Sequence, residues 1–376
     1  MSDDVRRAWA YLSRVAEPPC PELSALVRDR GPAEAADRIR RGAVTESLMR
    51  LTEARRHIDC AREDLEVIDR LAGRLITETD TEWPVLGFAA FSGADARQRP
   101  DAHPPMALWA VGPARLDDVA HRAVAIVGTR AATPYGEHVA ADLAAGLAAR
   151  DVAIVSGGAY GIDGAAHRAA LAADGFTVAA LAGGIDVPYP TGHTALLGRI
   201  AEEGVVISEY PPGVRPARHR FLTRNRLVAA LAGATVVVEA GARSGAANTA
   251  AWARALGRHV CAVPGPVTSS ASVGCHALLQ AGANLVTRAE EVVELVGHVG
   301  EFATEAERPS SVLDGLAEAE RRVYEALPAR GARTADEIAV ASGLPAMQVL
   351  GPLSMLEVCG LVVRQDGRWK LAARRA

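Results

Sequence analysis

Four arginines lie within nine residues of this chain, in the segment RHRFLTRNR at positions 218–226. Guanidinium groups at this density bind phosphates, or carboxylates that the fold brings to them. A phenylalanine, Phe221, lies among them, and an aromatic ring can stack on an unpaired nucleobase. The alanine-rich stretch that follows is typical of a helix, so the arginines stand where that helix begins. The segment therefore combines the means for phosphate binding and for base stacking.

The helix limits how many of these arginines can face one ligand. Residues two apart on a helix point about 200° away from each other, so Arg224 and Arg226 cannot both do so. We expect Arg224, closer to the first turn, to reach a ligand and Arg226 to turn inward. Two strand-end carboxylates, Glu209 and Glu239, would repel phosphate if bare. We expect both to be partners for the inward arginine and to give structural support, with Arg226 turned toward Glu239. A catalytic role for them is disfavoured, because no metal-ligand set or paired base accompanies them.

Two glycine-rich turns follow apolar runs earlier in the chain, IVGTR at 126–130 and SGGAYGID at 156–163. Each leads from a predicted strand into a helix, and Thr133 and Pro134 are favourable first residues for the helix after the first turn. Free N–H groups at a helix start bind phosphate, although tight turns of purely structural role are the alternative. The candidate ligands here are Gly128, Thr129, Arg130, Ser156, Gly157 and Gly158.

These turns lack the fingerprint of a nucleotide cofactor. Neither reads G-x-G-x-x-G, and Ser156 stands where a dinucleotide site needs an acidic ribose ligand. The five cysteines are scattered without metal-ligand spacing. We therefore expect no cofactor, no metal and free thiols.

A further loop, GARSGAANTAAWA at 241–253, adds small polar side chains after another apolar run. Because ligands of parallel sheets bind beyond the carboxyl ends of the strands, these loops would line one long groove. A groove that follows many phosphates and offers an aromatic ring is typical of proteins that bind single-stranded nucleic acid. The candidate ligands added here are Ser244, Gly245, Asn248 and Thr249, with Asn225 from the arginine segment.

The pattern of apolar runs predicts the elements that position these residues. Between residues 76 and 298, short Val/Ile/Ala runs without polar alternation are separated by helical segments. Such runs suit strands buried on both faces, which predicts an α/β fold with an extended Rossmann-like, doubly wound, mostly parallel sheet. Residues 1–75 predict a helical domain, interpreted as a cap rather than a direct DNA contact. After a polar linker at 299–313, residues 314–376 predict three helices, the middle one capped at Thr334, and two strands, which is a winged helix.

Composition limits the class of protein. With 376 residues, 49% of them hydrophobic, and a net charge of -4, the chain is long enough for more than one globular domain, and any basic site must be local. The longest apolar run is too short to span a bilayer, and the first residues lack the pattern of a secretory signal. We therefore expect a cytoplasmic protein with no membrane partner.

Two other sets of residues could act in catalysis, but a structural role is the simpler interpretation of each. Asp163 and His167 lie four apart on one helix face, which suits an acid–base pair, but helix-start capping with a packed histidine is favoured. Cys261 follows a strand and could be a nucleophile, but no histidine partner is placed by the sequence. A buried strand thiol is the favoured interpretation.

Seven motifs together resemble one known family, the DNA-processing protein A family, also called DprA or Smf. In chain order they are AIVGTR, SGGAYGIDGAAH, GGIDVPYP, ISEYPPG, FLTRNR, VVVEAGARSGAANTA and VPGPV. The resemblance is dense across the central region and loose in the flanks. The N-terminal helices are similar to that family's sterile-alpha-motif-like domain, and the C-terminal unit is similar to its winged helix.

The resemblance implies a function. Members of this family are not known as enzymes; they bind incoming single-stranded DNA during natural transformation, form dimers and load the RecA recombinase. Carried over, Arg130 and Arg218 are the main phosphate ligands and Phe221 is the base-stacking residue. Arg218 stands where lysine is common, which keeps the charge and permits two-point phosphate contact.

Two other classes of function compete with this one. Rossmann-like hydrolases of the nucleoside monophosphate phosphoribohydrolase type resemble a P-G-G-x-G-T-x-x-E pattern, whereas this chain has EAGARSGAANTA without that glutamate. The hypothesis that the protein is a transcriptional regulator would be based on the winged helix alone. The final segment of that winged helix is only modestly basic. Single-stranded DNA binding is therefore the preferred prediction.

Overall fold

A computed structural model describes residues 2–297, 316–329 and 331–372 of the chain. The chain divides into two compact units, Met1–Ala303 and Thr304–Ala376. The predicted linker at 299–313 lies outside the described residues. The domain boundary predicted between residues 75 and 76 lies within the first strand of the sheet. The division of the first unit into a helical domain and a sheet domain stays a prediction.

The N-terminal helices of the first unit cover one face of the sheet. Their apolar sides bury Trp9, Leu12, Ile39 and Ile68 in a cluster that also contains Trp109 from the sheet. This packing is that of a cap, because the helices share their core with strands and have none of their own. The helices are α1 (Asp3–Val15), α2 (Pro21–Arg30), α3 (Pro32–Arg41), α4 (Glu46–Thr52) and α5 (Ala61–Arg70).

The described strands of the first unit form one sheet in the order β1-β2-β6-β5-β4-β3-β7-β8-β9. The β1–β2 and β2–β6 pairs are antiparallel and the other pairs are parallel. The predicted α/β fold with a mostly parallel sheet is confirmed. The strands are β1 (Arg74–Thr77), β2 (Ala107–Val111), β3 (Ala123–Val127), β4 (Ala153–Ser156), β5 (Thr177–Leu181), β6 (Val205–Ser208), β7 (Ala234–Val237), β8 (His259–Ala262) and β9 (Asn284–Leu285).

The strand order reverses at β3. From β3 the chain continues to β4 on one side and returns later to place β7 on the other side. In doubly wound sheets the crevice at such a reversal, beyond the carboxyl ends of the strands, is where ligands bind. The glycine turns after β3 and β4 and the loop after β7 therefore meet at one place.

Two helices that follow strands of the sheet begin where the sequence predicts. Thr133 caps the helix after β3 by accepting a hydrogen bond from the N–H of Gly136 (3.2 Å), and Pro134 is its first residue. Ser244 caps the helix after β7 in the same way, accepting from the N–H of Ala247. The helices are α6 (Val85–Ala89), α7 (Leu116–His121), α8 (Pro134–Ala148), α9 (Ile162–Ala172), α10 (Thr194–Glu203), α11 (Arg218–Ala230), α12 (Gly245–Ala255), α13 (Val273–Gln280) and α14 (Ala289–Val296).

The second unit has the predicted winged-helix order of three helices and a hairpin. Thr334 caps the middle helix as predicted, and Glu337 completes a reciprocal capping box with it. The hairpin turns at Asp366 and Gly367, both with positive φ as a tight two-residue turn requires. The elements are α15 (Glu318–Glu325), α16 (Ala335–Ser342), α17 (Ala346–Val358), β10 (Val362–Gln365) and β11 (Arg368–Leu371).

Within the described residues, no single helix is long and apolar enough to cross a membrane. The pair α16 and α17 meets that test by length and composition only when taken together, and it is bent by 104°. Ile338 of α16 and Leu353 of α17 are fully buried in the core of the second unit.

Candidate nucleic-acid interface

The loops after β3, β4 and β7 and the start of α11 border one groove with a volume of about 750 Å³. This is the place where the strand order reverses, as the sequence predicts for a ligand site. Most of the predicted ligands lie on its surface. They are Gly128, Thr129, Arg130, Gly157, Arg218, Phe221, Arg224, Asn225, Ser244, Gly245 and Thr249.

The turn after β3 places a cation and a ring side by side. Gly128 has no room for a side chain, because a Cβ there would lie 2.4 Å from Ile162. The N–H of Thr129 donates to the main-chain oxygen of Glu239 (2.7 Å), which ties this turn to the end of β7. Arg130 is exposed, and its guanidinium carbon lies 4.9 Å from the centroid of the Phe221 ring. A phosphate and an adjoining base can therefore be contacted together.

The first two arginines of α11 have different surroundings. Arg218 is exposed at the helix start and lines the groove. Arg220 turns instead toward the N-terminal helices, and its Nε donates to Oε1 of Glu17 (2.6 Å). Burial alone would raise the pKa of Glu17, but hydrogen bonds from Arg220 and Arg55 lower it to about 2. Only Arg218 of this pair is thus available to a ligand in the groove.

Arg224 forms part of the groove floor and is itself buried. Its Nη1 donates to the main-chain oxygens of Gly157 (2.7 Å) and Ala180, and the residue is 5% exposed. Burial lowers the pKa of Arg224 to about 10, an effect that the Asp163 carboxylate opposes. The guanidinium therefore stays charged at neutral pH. Contact of Arg224 with a ligand stays a prediction: the residue lines the groove, but the main-chain oxygens of Gly157 and Ala180 already accept from its guanidinium.

Arg226 is fully buried, as expected, and its partner is Glu209, one of the two predicted carboxylates, rather than Glu239. Its Nη2 donates to both carboxylate oxygens of Glu209 at 2.6 Å, not to Glu239. Burial raises the pKa of Glu209 and the charge of Arg226 opposes that rise. The Phe91 ring also lies 5.6 Å from the Arg226 guanidinium. Arg224 and Arg226 therefore point away from each other, and each side chain is buried among different partners.

Glu239 has a different role, at the start of α8. Its carboxylate accepts from the N–H of Thr133 (2.9 Å) and from the Thr133 hydroxyl (2.6 Å). The predicted Arg226–Glu239 pair is thus corrected. Glu239 follows β7 and binds the start of α8, whereas Glu209 follows β6, which three strands separate from β7 in the sheet. Both carboxylates are engaged inside the protein and present no bare charge to a phosphate.

Two predicted ligands in the turn after β4 lie behind the groove surface. Ser156 is fully buried and its hydroxyl donates to the main-chain oxygen of Ile126 (2.6 Å). Gly158 is buried with a φ of +68°, a conformation that glycine adopts without strain. Because β4 is a central strand, its last residue is covered by its neighbours. These two residues shape the turn rather than line the groove.

Asp163 and His167 do not form an acid–base pair. Oδ2 of Asp163 accepts from the N–H groups of Gly157 (3.1 Å) and Ala159 (3.3 Å), which holds the turn closed. Nδ1 of His167 lies 2.7 Å from the Thr177 hydroxyl, and burial lowers the pKa of His167 to about 3. The packed-histidine interpretation is confirmed. The carboxylate of Asp163 organises the loop before its helix.

Polar side chains join the start of α12 to α11. Nδ2 of Asn225 donates to the main-chain oxygen of Gly245 and to Oδ1 of Asn248, both at 3.2 Å. The Thr249 hydroxyl donates to the same Gly245 oxygen (3.3 Å). Asn248 is thus placed behind the groove, where it joins α12 to α11.

Two exposed groove residues escaped the sequence reasoning. Arg243 lies in the loop after β7, directly before the predicted Ser244, and a cation at a strand-end loop was the available signal. Tyr189 lies beside Phe221, with ring centroids 5.4 Å apart. The sequence feature that could have indicated Tyr189 is an aromatic residue between two prolines in the motif GGIDVPYP, which follows an apolar run.

The described residues offer little for catalysis or metal binding. Cys261 is fully buried, and burial raises its pKa to about 12, so the buried-thiol interpretation is confirmed. Within these residues no group of three His, Cys, Asp or Glu side chains is arranged to hold a metal ion. The groove instead offers cations, rings and main-chain groups.

Comparison with known proteins identifies the family. The family model for DNA recombination-mediator protein A matches residues 74–297, which includes every loop of the groove. The chain belongs to this family. A DprA-type DNA processing protein of Mycobacterium tuberculosis is 72% identical over 371 residues, which cover 99% of this chain and 95% of that protein. Protein Smf of Escherichia coli is 36% identical over 256 residues, 67% of this chain and 68% of the relative.

Solved structures of family members have the same fold. DNA processing protein A from Streptococcus pneumoniae matches with a TM-score of 0.61 and 30% identity, covering 81% of this chain and 99% of that one. A Helicobacter pylori member, described for its single-stranded DNA binding mode, matches with a TM-score of 0.50 and 29% identity over 59% of this chain and 94% of its own. A second family model, for the transcriptional regulator TrmB, matches residues 314–373. A Rossmann-like core followed by a winged helix is thereby established, and the nucleotide hydrolase alternative is not favoured.

Proposed function

We propose that this recombination-mediator family member binds single-stranded DNA in its groove, with Arg130 and Arg218 on phosphates and Phe221 stacked on a base. The observation that carries the proposal is the convergence of these three side chains around one groove at the reversal of strand order. The single-stranded DNA binding mode described for the Helicobacter pylori relative supports it.

The charges of the groove support an anionic ligand although the chain is acidic overall. Arg130, Arg218 and Arg243 are exposed on its surface. Asp163 also lines the groove, but like Glu239 it is buried and accepts hydrogen bonds from main-chain N–H groups. Because the exposed charged side chains of the groove are arginines, we expect the surface that a strand meets to be positive.

Phe221 accounts for a preference for single strands. Its ring is part of the groove wall, and an unpaired base can lie on it, whereas bases of a duplex are already stacked and paired. Contacts to phosphates and stacking carry no base identity, so we expect little sequence preference.

The finer role follows from the motifs shared with the DprA family. We propose that the protein protects incoming single strands in the cytoplasm during natural transformation or recombination, acts as a homodimer and loads the RecA recombinase. This role requires neither catalysis nor a cofactor. Nucleotide hydrolysis by the purified protein would speak against it.

The test is the binding of one fluorescent oligonucleotide, as a single strand and as a duplex, across graded salt. We expect duplex binding to be weaker by about 5- to 150-fold, because one stacked base contributes roughly 1–3 kcal/mol. Arg62→Ala serves as the control, since Arg62 is exposed on α5 and pairs with Glu66. Equal affinity for the two DNA forms at matched salt would refute the proposal.

A further inference from the structure

A second group of aromatic rings borders the groove beside Phe221. Tyr160 and Tyr189, called here the tyrosine shelf, line a recess together with Phe221 and Arg130. Tyr160 is 46% exposed and Tyr189 is 44% exposed. Single exposed rings are common on protein surfaces, but rings gathered around one recess with a cation indicate a binding surface.

Tyr160 is held in a fixed orientation. Its hydroxyl oxygen accepts a hydrogen bond from the N–H of Gly192 (3.1 Å). Its ring meets the ring of the buried His193 edge to face, with centroids 4.8 Å apart. His193 is fixed in turn, because its Nδ1 lies 3.0 Å from the main-chain oxygen of Gly158. A ring that is already ordered loses little conformational entropy when a ligand stacks on it.

Tyr189 connects this ring to the proposed stacking residue. Its centroid lies 5.4 Å from that of Phe221, at an interplanar angle of 53°. The guanidinium carbon of Arg130 lies 4.9 Å from the centroid of the Phe221 ring. The rings and the cation are thus neighbours along one wall, and no carboxylate lines the recess within the described residues.

We infer that the tyrosine shelf is a second nucleobase-stacking site, which takes a base adjacent to the one on Phe221. The inference rests on the proposed function of the groove and extends the contacted strand beyond it. Stacking requires a ring face and tolerates every base, so the shelf adds affinity without adding sequence preference. The strand would leave the groove on the side of the turn after β4, where Tyr160 lies.

The test uses oligothymidines of increasing length with Tyr160→Leu and Tyr189→Leu. Leucine fills space but offers no stacking face, and Tyr160→Phe and Tyr189→Phe keep the ring and serve as matched controls. For long strands we expect each leucine variant to bind roughly tenfold more weakly than wild type and each phenylalanine variant to bind like wild type. Melting temperatures near that of the wild type would show that the variants are folded.

Short strands separate this inference from the proposed function. A strand just long enough to bind the wild type should occupy the Phe221 site alone and bind the leucine variants as tightly as the wild type. As a second readout, 2-aminopurine placed at successive positions should lose its quenching at one position in the leucine variants. Unchanged affinity and quenching for long strands in both variants would overturn the shelf alone, whereas absence of wild-type binding would overturn the proposed function.

Discussion

The groove of the first unit and the last helix of the second unit expose side chains of opposite character. The groove exposes Arg130 and Arg218 beside an aromatic ring. α17 exposes apolar side chains instead, with Met347 89% and Val358 83% exposed, and its sequence AMQVLGPLSMLEV contains no arginine or lysine. A helix that enters a DNA groove contacts phosphates and base edges with polar and basic side chains. This difference agrees with the proposed DNA-binding site in the first unit, and α17 lacks the basic side chains that such a site needs.

The hairpin of the second unit carries cations, but they have local partners. Lys370 donates to Oε1 of Gln365 (2.7 Å) and the Arg364 guanidinium lies 5.6 Å from the Trp369 ring. Arg368 lies 3.8 Å from Glu337. These residues provide the matched controls for the arginines of the groove.

The largest expected effect concerns the buried pair beneath the groove. Arg226→Ala leaves the Glu209 carboxylate buried without its partner and should lower the free energy of unfolding of the first unit by about 3–5 kcal/mol. Val358 is an exposed residue of α17, and Val358→Ala should change the free energy of unfolding of the second unit by no more than about 0.5 kcal/mol. Denaturant unfolding of the two variants measures the difference.

A double variant checks the cause of that loss. Arg226→Met combined with Glu209→Leu removes both charges at similar volume and should recover most of the stability. Equal stability of Arg226→Ala and wild type would contradict the assignment of this pair.

The next effect concerns phosphate contacts. Replacing both Arg130 and Arg218 with alanine should weaken single-strand binding for all sequences alike and reduce the slope of log affinity against log salt by about 1.4, roughly 0.7 per lost contact. The matched variant Arg364→Ala with Arg368→Ala should leave the slope unchanged. Salt-titrated binding of a fluorescent strand measures both, and the reverse pattern would move the interface to the second unit.

A smaller effect separates stacking from charge. Phe221→Leu should lower single-strand affinity roughly tenfold, because it removes one stacking face. The slope against salt should stay unchanged, since no phosphate contact is lost. A lower slope in this variant would show that the ring acts mainly by positioning Arg130.

The smallest effect concerns the link between α11 and the N-terminal helices, and it depends on pH. The pKa of Glu17 in the folded protein is about 2, below its ordinary value of 4.5. Its contribution to stability is therefore fully present above pH 4.5 and is lost as the pH falls from there through 2. Glu17→Gln should melt earlier than wild type at pH 7, and the gap should narrow between pH 5 and pH 3. A constant gap would show that the carboxylate charge is not involved.

Local chemistry could be predicted from the sequence. The helix caps at Thr133 and Thr334 depend on a few neighbouring residues. The parallel sheet also followed from patterning, because strands buried on both faces must be apolar throughout. These features needed no knowledge of which strands are neighbours.

Features that depend on strand order could not be predicted in the same way. Whether Arg226 meets Glu209 or Glu239 depends on where β6 and β7 lie relative to α11, and the sequence does not state that order. The burial of Arg224 depends on the carbonyl oxygens of Gly157 and Ala180, which carry no side-chain signal. Long-range placement therefore decided which arginines remain exposed.

The most direct test of the account is photocrosslinking of a single strand that carries 5-iododeoxyuridine, followed by mapping of the linked peptides by mass spectrometry. If bases stack on Phe221 and on the tyrosine shelf, we expect crosslinks at Phe221 and, on neighbouring nucleotides, at Tyr189 and Tyr160. Crosslinks confined to the second unit, for example at Trp369 of its hairpin, with none in the groove, would contradict it.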